Sequence, residues 1–219
     1  GPRIRRHVQV EIAVRRALQH QSLLVAKRRY ENNLEELVRR RTEQLNYLAY
    51  HDILTDLPNR SLFEDRFSQA IVLSGKDQKI AVLFISLDRF KEIQDTLGHL
   101  AGSKILQEAA QRLKNCLPES ATVARFEGDE FALLLTGITT EEIVEITNRI
   151  NESLKLPLAV EDQEIFITSS IGISFYPDDG DDAETLLKNA RVALSRAREL
   201  EGGNNYQFYI SGMNEKALK

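Results

Sequence analysis

The stretch VARFEGDEFALLL, Val123 to Leu135, places three carboxylates on one tight turn. Two apolar runs, Val123 to Phe126 and Phe131 to Leu135, flank the tetrad Glu127-Gly128-Asp129-Glu130. Runs of this kind about a single glycine predict a β-hairpin with acids at its tip. Crowded carboxylates repel one another, so the tip needs a cation beside it: a hard metal ion, a lysine or an arginine.

Other chemistries find little support. The four histidines, at 7, 20, 51 and 99, have no ligand spacing, which argues against zinc. The single Cys116 precludes an internal disulfide and fits a reducing cytoplasm. No apolar run is long enough to cross a bilayer and no signal peptide is visible. A cytoplasmic location is therefore expected, with membrane tethering of a longer protein left open. Gly1-Pro2 reads as a tag-cleavage remnant.

The elements that must carry the hairpin alternate along residues 51–211. Ser61 to Leu73 is predicted helical, and KIAVLFISL, Lys79 to Leu87, reads as a buried strand. Arg89 to Leu97 and Ser103 to Leu117 read as two helices separated by Gly98 and Gly102. After the hairpin come a helix over Thr140 to Leu154, a strand over Glu164 to Tyr176 and the acidic loop PDDGDD. A helix over Ala183 to Leu200 and a short strand over Tyr206 to Ile210 complete the body. This order predicts an α+β sandwich with helices covering a mostly antiparallel sheet.

Residues 3–50 contain neither proline nor glycine and predict one long helix. A heptad frame runs through Val10, Ala13, Ala17, His20, Leu24, Lys27, Glu31, Leu34, Val38, Arg41, Leu45 and Leu48. Eight of these twelve positions are apolar, enough for a parallel coiled-coil seam and hence a homodimer. The arm, residues 1–50, carries a net charge of +6 and the remainder −10. An acidic body argues against nucleic acid as its ligand.

Five segments in order resemble the GGDEF domain, the diguanylate cyclase family of bacterial cyclic di-GMP signalling. They are HDILTDLPNRSLF (His51 to Phe63), LDRFKEIQDTLGHLAGSKIL (Leu87 to Leu106), ARFEGDEFALLL (Ala124 to Leu135), SSIGISFYPDDG (Ser169 to Gly180) and LLKNARVALSRAR (Leu186 to Arg198). The resemblance implies a nucleotidyl-cyclase-like, ferredoxin-type sandwich. Its chemistry is phosphoryl transfer between two GTP molecules on facing domains, with Mg²⁺ or Mn²⁺ entering together with the nucleotide. The arm is also similar to the connector that follows receiver domains. The tail YISGMNEKALK, with residues 212–219 read as the start of a linker, resembles the run into an EAL phosphodiesterase domain. An upstream receiver or other sensory domain and a downstream EAL domain are the partners this implies.

Carried over position by position, the resemblance gives Asp129 and Asp88 as metal carboxylates and Glu130 as the catalytic acid. Gly128 stands at the turn, Lys91 and Arg198 face phosphate, and Gln94 and Ser103 occupy the guanine-recognition positions. Several positions depart from the family. Ser86 stands where the first metal aspartate belongs, and Glu127 replaces a glycine whose dihedrals are costly with a Cβ. Gln94 replaces asparagine, Ser103 an aspartate acceptor, and Gly203 an arginine. Arg191 and Ser195 replace aspartate and tyrosine, and the product-inhibition motif is absent at Pro118 to Ala121. The expectation is a degenerate, non-catalytic GGDEF domain acting as a dimeric regulatory module. Two alternatives stand beside it: an active cyclase making cyclic di-GMP, and a GTP-binding sensor controlling a fused EAL domain.

Overall fold

A computed structural model describes residues 2–74, 78–160, 163–200, 202–211 and 213. The chain divides into two compact units, Gly1–Ala49 and Tyr50–Lys219. The first consists of helix α1, Pro2–Tyr50, whose last residue belongs to the second unit. Ion pairs one turn apart, Lys27–Glu31, Arg40–Glu36 and Arg39–Glu43, support it locally. The seam positions Leu34, Val38, Leu45 and Leu48 are solvent-exposed. The side chains of Val10, Ala13, Ala17, His20 and Leu24 lie outside the described residues. Among the described residues, no helix is long and apolar enough to cross a membrane. Apart from Met213, the linker read over 212–219 also lies outside them.

The second unit runs α2 (Arg60–Ser74), β1 (Ile80–Leu87), α3 (Phe90–Leu97), α4 (His99–Asn115), β2 (Thr122–Glu127) and β3 (Glu130–Thr136). It continues with α5 (Thr140–Lys155), β4 (Leu158–Val160), β5 (Gln163–Ile165), β6 (Ser169–Tyr176), α6 (Ala183–Arg198) and β7 (Tyr206–Phe208). The main sheet has the order β2-β3-β1-β6-β7, antiparallel except for the parallel pair β6–β7. This is the α+β sandwich with a mostly antiparallel sheet that the sequence predicts.

The central strand β1 explains its own composition. All eight of its residues are buried because helices cover both faces. Ala81, Leu83, Ile85 and Leu87 point to a core shared with α4 and α5, including Ile105, Leu113 and Ile150. Ile80, Val82 and Phe84 point to the second core, with Phe63 and Phe67 of α2 and Leu186, Ala190 and Leu194 of α6. The next residue on this second face is Ser86.

Three predicted boundaries are corrected. The helix expected from Ser103 begins at His99, because Gly98 alone ends α3: its N–H bonds to Gln94 O and its φ is +87°. Gly102 sits inside α4, where a Cβ would lie 2.7 Å from Gln94 Nε2. The strand expected from Glu164 to Tyr176 is two strands, and β4, absent from the sequence reading, pairs with β5 in a separate hairpin.

Helix ends are tied down by named groups. Thr139 and Glu142 form a reciprocal capping box at α5, and Asp182 caps α6 through Thr185 N. The C-terminus of α5 is capped from outside: the Arg112 guanidinium donates to the carbonyls of Ser153, Leu154, Leu156 and Pro157. Arg149 of α5 donates in turn to Cys116 O at the end of α4. The two helices thus satisfy each other's orphan carbonyls.

Candidate functional site

The hairpin tip is built as its sequence demands. Glu127 pairs with Glu130 across a two-residue turn, and Gly128 takes φ +55°. Glu127, by contrast, is not in the left-handed region and is exposed. The dihedral cost expected of a side chain at this position is therefore absent. What its side chain adds is bulk and charge at the exposed hairpin tip.

The tip is fastened to the loop before α2. The Arg125 guanidinium donates to both carboxylate oxygens of Asp52, at 3.0 and 3.1 Å, and to Gly128 O at 2.8 and 3.2 Å. Asp52 also accepts from the amide and hydroxyl of Thr55. Burial alone would push the Asp52 carboxyl up. The Thr55 hydroxyl and amide and the Arg125 guanidinium outweigh it and hold the carboxyl below its usual range.

Because the folded pKa is depressed, this stability is complete above the unfolded value and lost as pH falls through the folded one. Below about pH 4 the protein should lose stability that Asp52→Asn does not lose. At neutral pH that variant should cost about 1–3 kcal/mol. Thermal melts of both proteins from pH 7 to pH 3 check this; parallel curves would refute it.

One row of side chains crosses three strands. Ser86 is in register with Glu130 of β3 and with Ser170 of β6. The Ser86 hydroxyl is buried and donates to Asp129 Oδ2 at 2.5 Å. Asp88, two residues on, is already committed: Thr168 Oγ1 donates to one carboxylate oxygen at 2.6 Å and Ser170 Oγ to the other at 2.8 Å. Its own amide donates to Thr168 O.

Arginines from α6 lie over this row. Arg191 Nη2 donates to Glu130 Oε2 at 3.2 Å, while its guanidinium sits 4.4 Å from the centre of the Phe84 ring. Arg198 Nη2 is 3.9 Å from both Asp129 Oδ2 and Glu130 Oε1. Two arginine cations thus stand beside the acidic tip.

An open cleft of about 1350 Å³ runs past these groups. Of the predicted site residues, Asp88, Lys91, Asp129 and Arg198 line it, as does Ser86. Gln94, Ser103, Gly128 and Glu130 do not. Gln94 lies against α4 at Gly102, and Ser103 is the next residue of that helix. Gly203 lines the cleft, but a Cβ there would stand 2.5 Å from Thr168 Oγ1. Any side chain there would therefore meet the hydroxyl that donates to Asp88.

Sequence reasoning missed the working partners Thr168, Ser170 and Arg125, and it saw Arg191 only as a departure. The signal for Arg191 was present as a charge reversal toward an acidic tip. Thr168 and Ser170 become visible only with the sheet order.

As a test of fit for a divalent metal, the donor set is poor. Ser86 is neutral and spends its proton on Asp129, and each carboxylate oxygen of Asp88 already accepts from one hydroxyl. Asp129 accepts from one hydroxyl, and the remaining carboxylates on the cleft, Glu92 in α3 and Glu199 after α6, do not join it in a cluster. Among the described residues, no three acid, histidine or cysteine side chains cluster as a metal would need.

Comparison with known proteins places this geometry. The family described as "Diguanylate cyclase, GGDEF domain" matches residues 49–205. The cyclic di-GMP phosphodiesterase NbdA of Pseudomonas aeruginosa is 39% identical over 168 residues, 75% of this chain and 21% of that protein. The bifunctional diguanylate cyclase/cyclic di-GMP phosphodiesterase MucR of the same organism is 38% identical over 179 residues, 81% of this chain and 26% of that protein. The chain therefore spans about a quarter or less of the length of these two relatives. The solved GGDEF domain of P. aeruginosa TpbB (YfiN) superposes with a TM-score of 0.74 at 36% identity, covering 77% of this chain and 99% of that one.

Proposed function

Since the chain belongs to the diguanylate cyclase GGDEF family, we propose that it is a non-catalytic member serving cyclic di-GMP signalling as a dimeric regulatory module. The observation that carries this reading is the Ser86–Asp129 hydrogen bond. Where the family's chemistry needs two carboxylates sharing a dication, this chain has a hydroxyl and a carboxylate satisfying each other. The pairing of Glu130 with Arg191 and the placement of Gln94 and Ser103 off the cleft support the same conclusion.

In this reading α1 joins two copies through its exposed seam and relays a signal from an upstream receiver or other sensory domain. The relatives named as phosphodiesterases make an EAL domain the natural downstream partner. A cytoplasmic setting follows from a nucleotide-signalling role. Uncommitted cations on the cleft support a secondary reading, in which GTP binds without turnover.

The test is GTP turnover by the purified dimer in Mg²⁺ and then Mn²⁺, with products identified by mass. No cyclic di-GMP above a protein-free blank is expected, and Asp129→Ala should change nothing. Product that disappears in Asp129→Ala would overturn the reading in favour of an active cyclase.

A further inference from the structure

One wall of the cleft is an unfinished backbone edge. Between β5 and β6, burial alternates with the two-residue period of an extended chain: Ile165 and Ile167 are 9% and 2% exposed, and Phe166 between them is 66% exposed. Among the described residues, neither the N–H nor the C=O of Phe166 has a hydrogen-bond partner. Thr168, two residues on, turns its carbonyl to the amide of Asp88 at 2.8 Å. Alternate residues of an extended chain present their backbone groups to one side, so Phe166 offers its N–H and C=O on that same side, along the cleft. The other wall is helix α3, whose partly buried Ile93 and Leu97 line the cleft.

Charge falls unevenly along this groove. Arg89 and Lys91 stand at the start of α3 and Lys155 at the end of α5, and all three line the cleft. Among the described residues, none of the three has a carboxylate within ion-pair distance. Of the acids that line it, Asp88 and Asp129 accept from hydroxyls and Glu199 holds Arg196, which leaves Glu92 alone. An open backbone edge is satisfied by another strand, an exposed phenylalanine by an apolar cross-strand neighbour, and surplus cations by carboxylates. We propose that the groove between Phe166 and α3 docks an extended acidic segment of a partner protein. The segment pairs with the backbone of Phe166, sets an apolar side chain against its ring and places carboxylates on Lys91 and Lys155. A helix would not serve, because it spends its own N–H and C=O groups internally. The proposal rests on the domain's being a regulatory module, and because binding is measured without nucleotide it stands or falls apart from the turnover assay.

The probe is the end-blocked heptapeptide Glu-Asp-Val-Tyr-Val-Asp-Glu, titrated by calorimetry into the 219-residue chain. Saturable binding is expected, weakening as salt rises. A peptide with lysine at all four acidic positions should bind at least about tenfold more weakly. So should one with proline at both valines, which keeps the charge and the ring but loses the strand donors. Phe166→Ala should weaken the acidic peptide about tenfold while melting with the parent, since the side chain it removes is exposed. The direct readout is amide exchange: the peptide should protect the Phe166 amide and leave that of Ile167, which points the other way, unchanged. Binding without protection of Phe166, equal binding of the lysine or proline peptide, or unchanged affinity in Phe166→Ala would each overturn the proposal. So would the absence of binding at millimolar peptide. Protection of Phe166 that rises with protein concentration in the absence of peptide would give the edge to a second copy and overturn it as well.

Discussion

Gly172→Ala is expected to cost the second unit about 4 kcal/mol or more. Gly172 lies in β6 directly beneath α6. A Cβ built there would stand 2.0 Å from Ala190 O and 2.1 Å from Leu194 N. Both are backbone atoms, so no rotamer change relieves the clash. The helix must lift off the sheet or the strand must sink. Either movement disturbs the core made by Phe63, Phe84, Ala190 and Leu194. It also shifts Arg191 and Arg198 from the acids they face. A loss of that size lowers the melting temperature by about 10 °C or more in a unit of this length. Circular-dichroism melts check it, and a midpoint within about 2 °C of the parent would show that α6 does not approach β6 this closely.

Gly172 also shows what could be read from sequence alone. A glycine in an otherwise apolar strand signals close approach of another backbone, and the pattern of Glu164 to Tyr176 carried that signal. The continuous run of β1 signalled burial on both faces, and the tetrad with one glycine signalled the hairpin. These are local facts of period and turn chemistry. The break at 166–168 was illegible because Phe166, Ile167 and Thr168 are as β-prone as their neighbours. Residues 163–165 pair instead with β4 in a separate hairpin, which is a tertiary fact.

The site divides along the same line. Identity alone showed that Ser86 is not an aspartate and that Arg191 reverses a charge. Only the strand order β3-β1-β6 reveals that Ser86, Glu130 and Ser170 stand in one row. That order turns Asp88 from a candidate substitute ligand into the acceptor of two hydroxyls. Substitutions that look like separate losses in sequence thus share partners in space, and their effects should be coupled.

Ser86→Asp should convert the row from self-satisfied to cation-dependent. The hydroxyl it removes is buried and donates directly to Asp129. The new carboxylate has no proton to give, so two like charges would meet where one hydrogen bond stood. Arg198, at 3.9 Å from Asp129, offsets only part of the repulsion. A cost of about 2–4 kcal/mol at neutral pH follows. One carboxyl of the pair should have its folded pKa raised above the unfolded value. The penalty is therefore absent below about pH 4 and grows as pH rises through the raised folded pKa. Two adjacent carboxylates are also what a hard dication binds, so Mn²⁺ at about 100 times its Kd should return about 2.7 kcal/mol. The parent, whose Asp129 is satisfied by Ser86, should melt at the same temperature with and without Mn²⁺. Melts of both proteins at pH 4 and pH 7, each with Mn²⁺ and with EDTA, decide the matter. A Mn²⁺ shift of equal size in the parent would mean that the serine hydroxyl does not stand in for the cation, and the non-catalytic reading would lose its support.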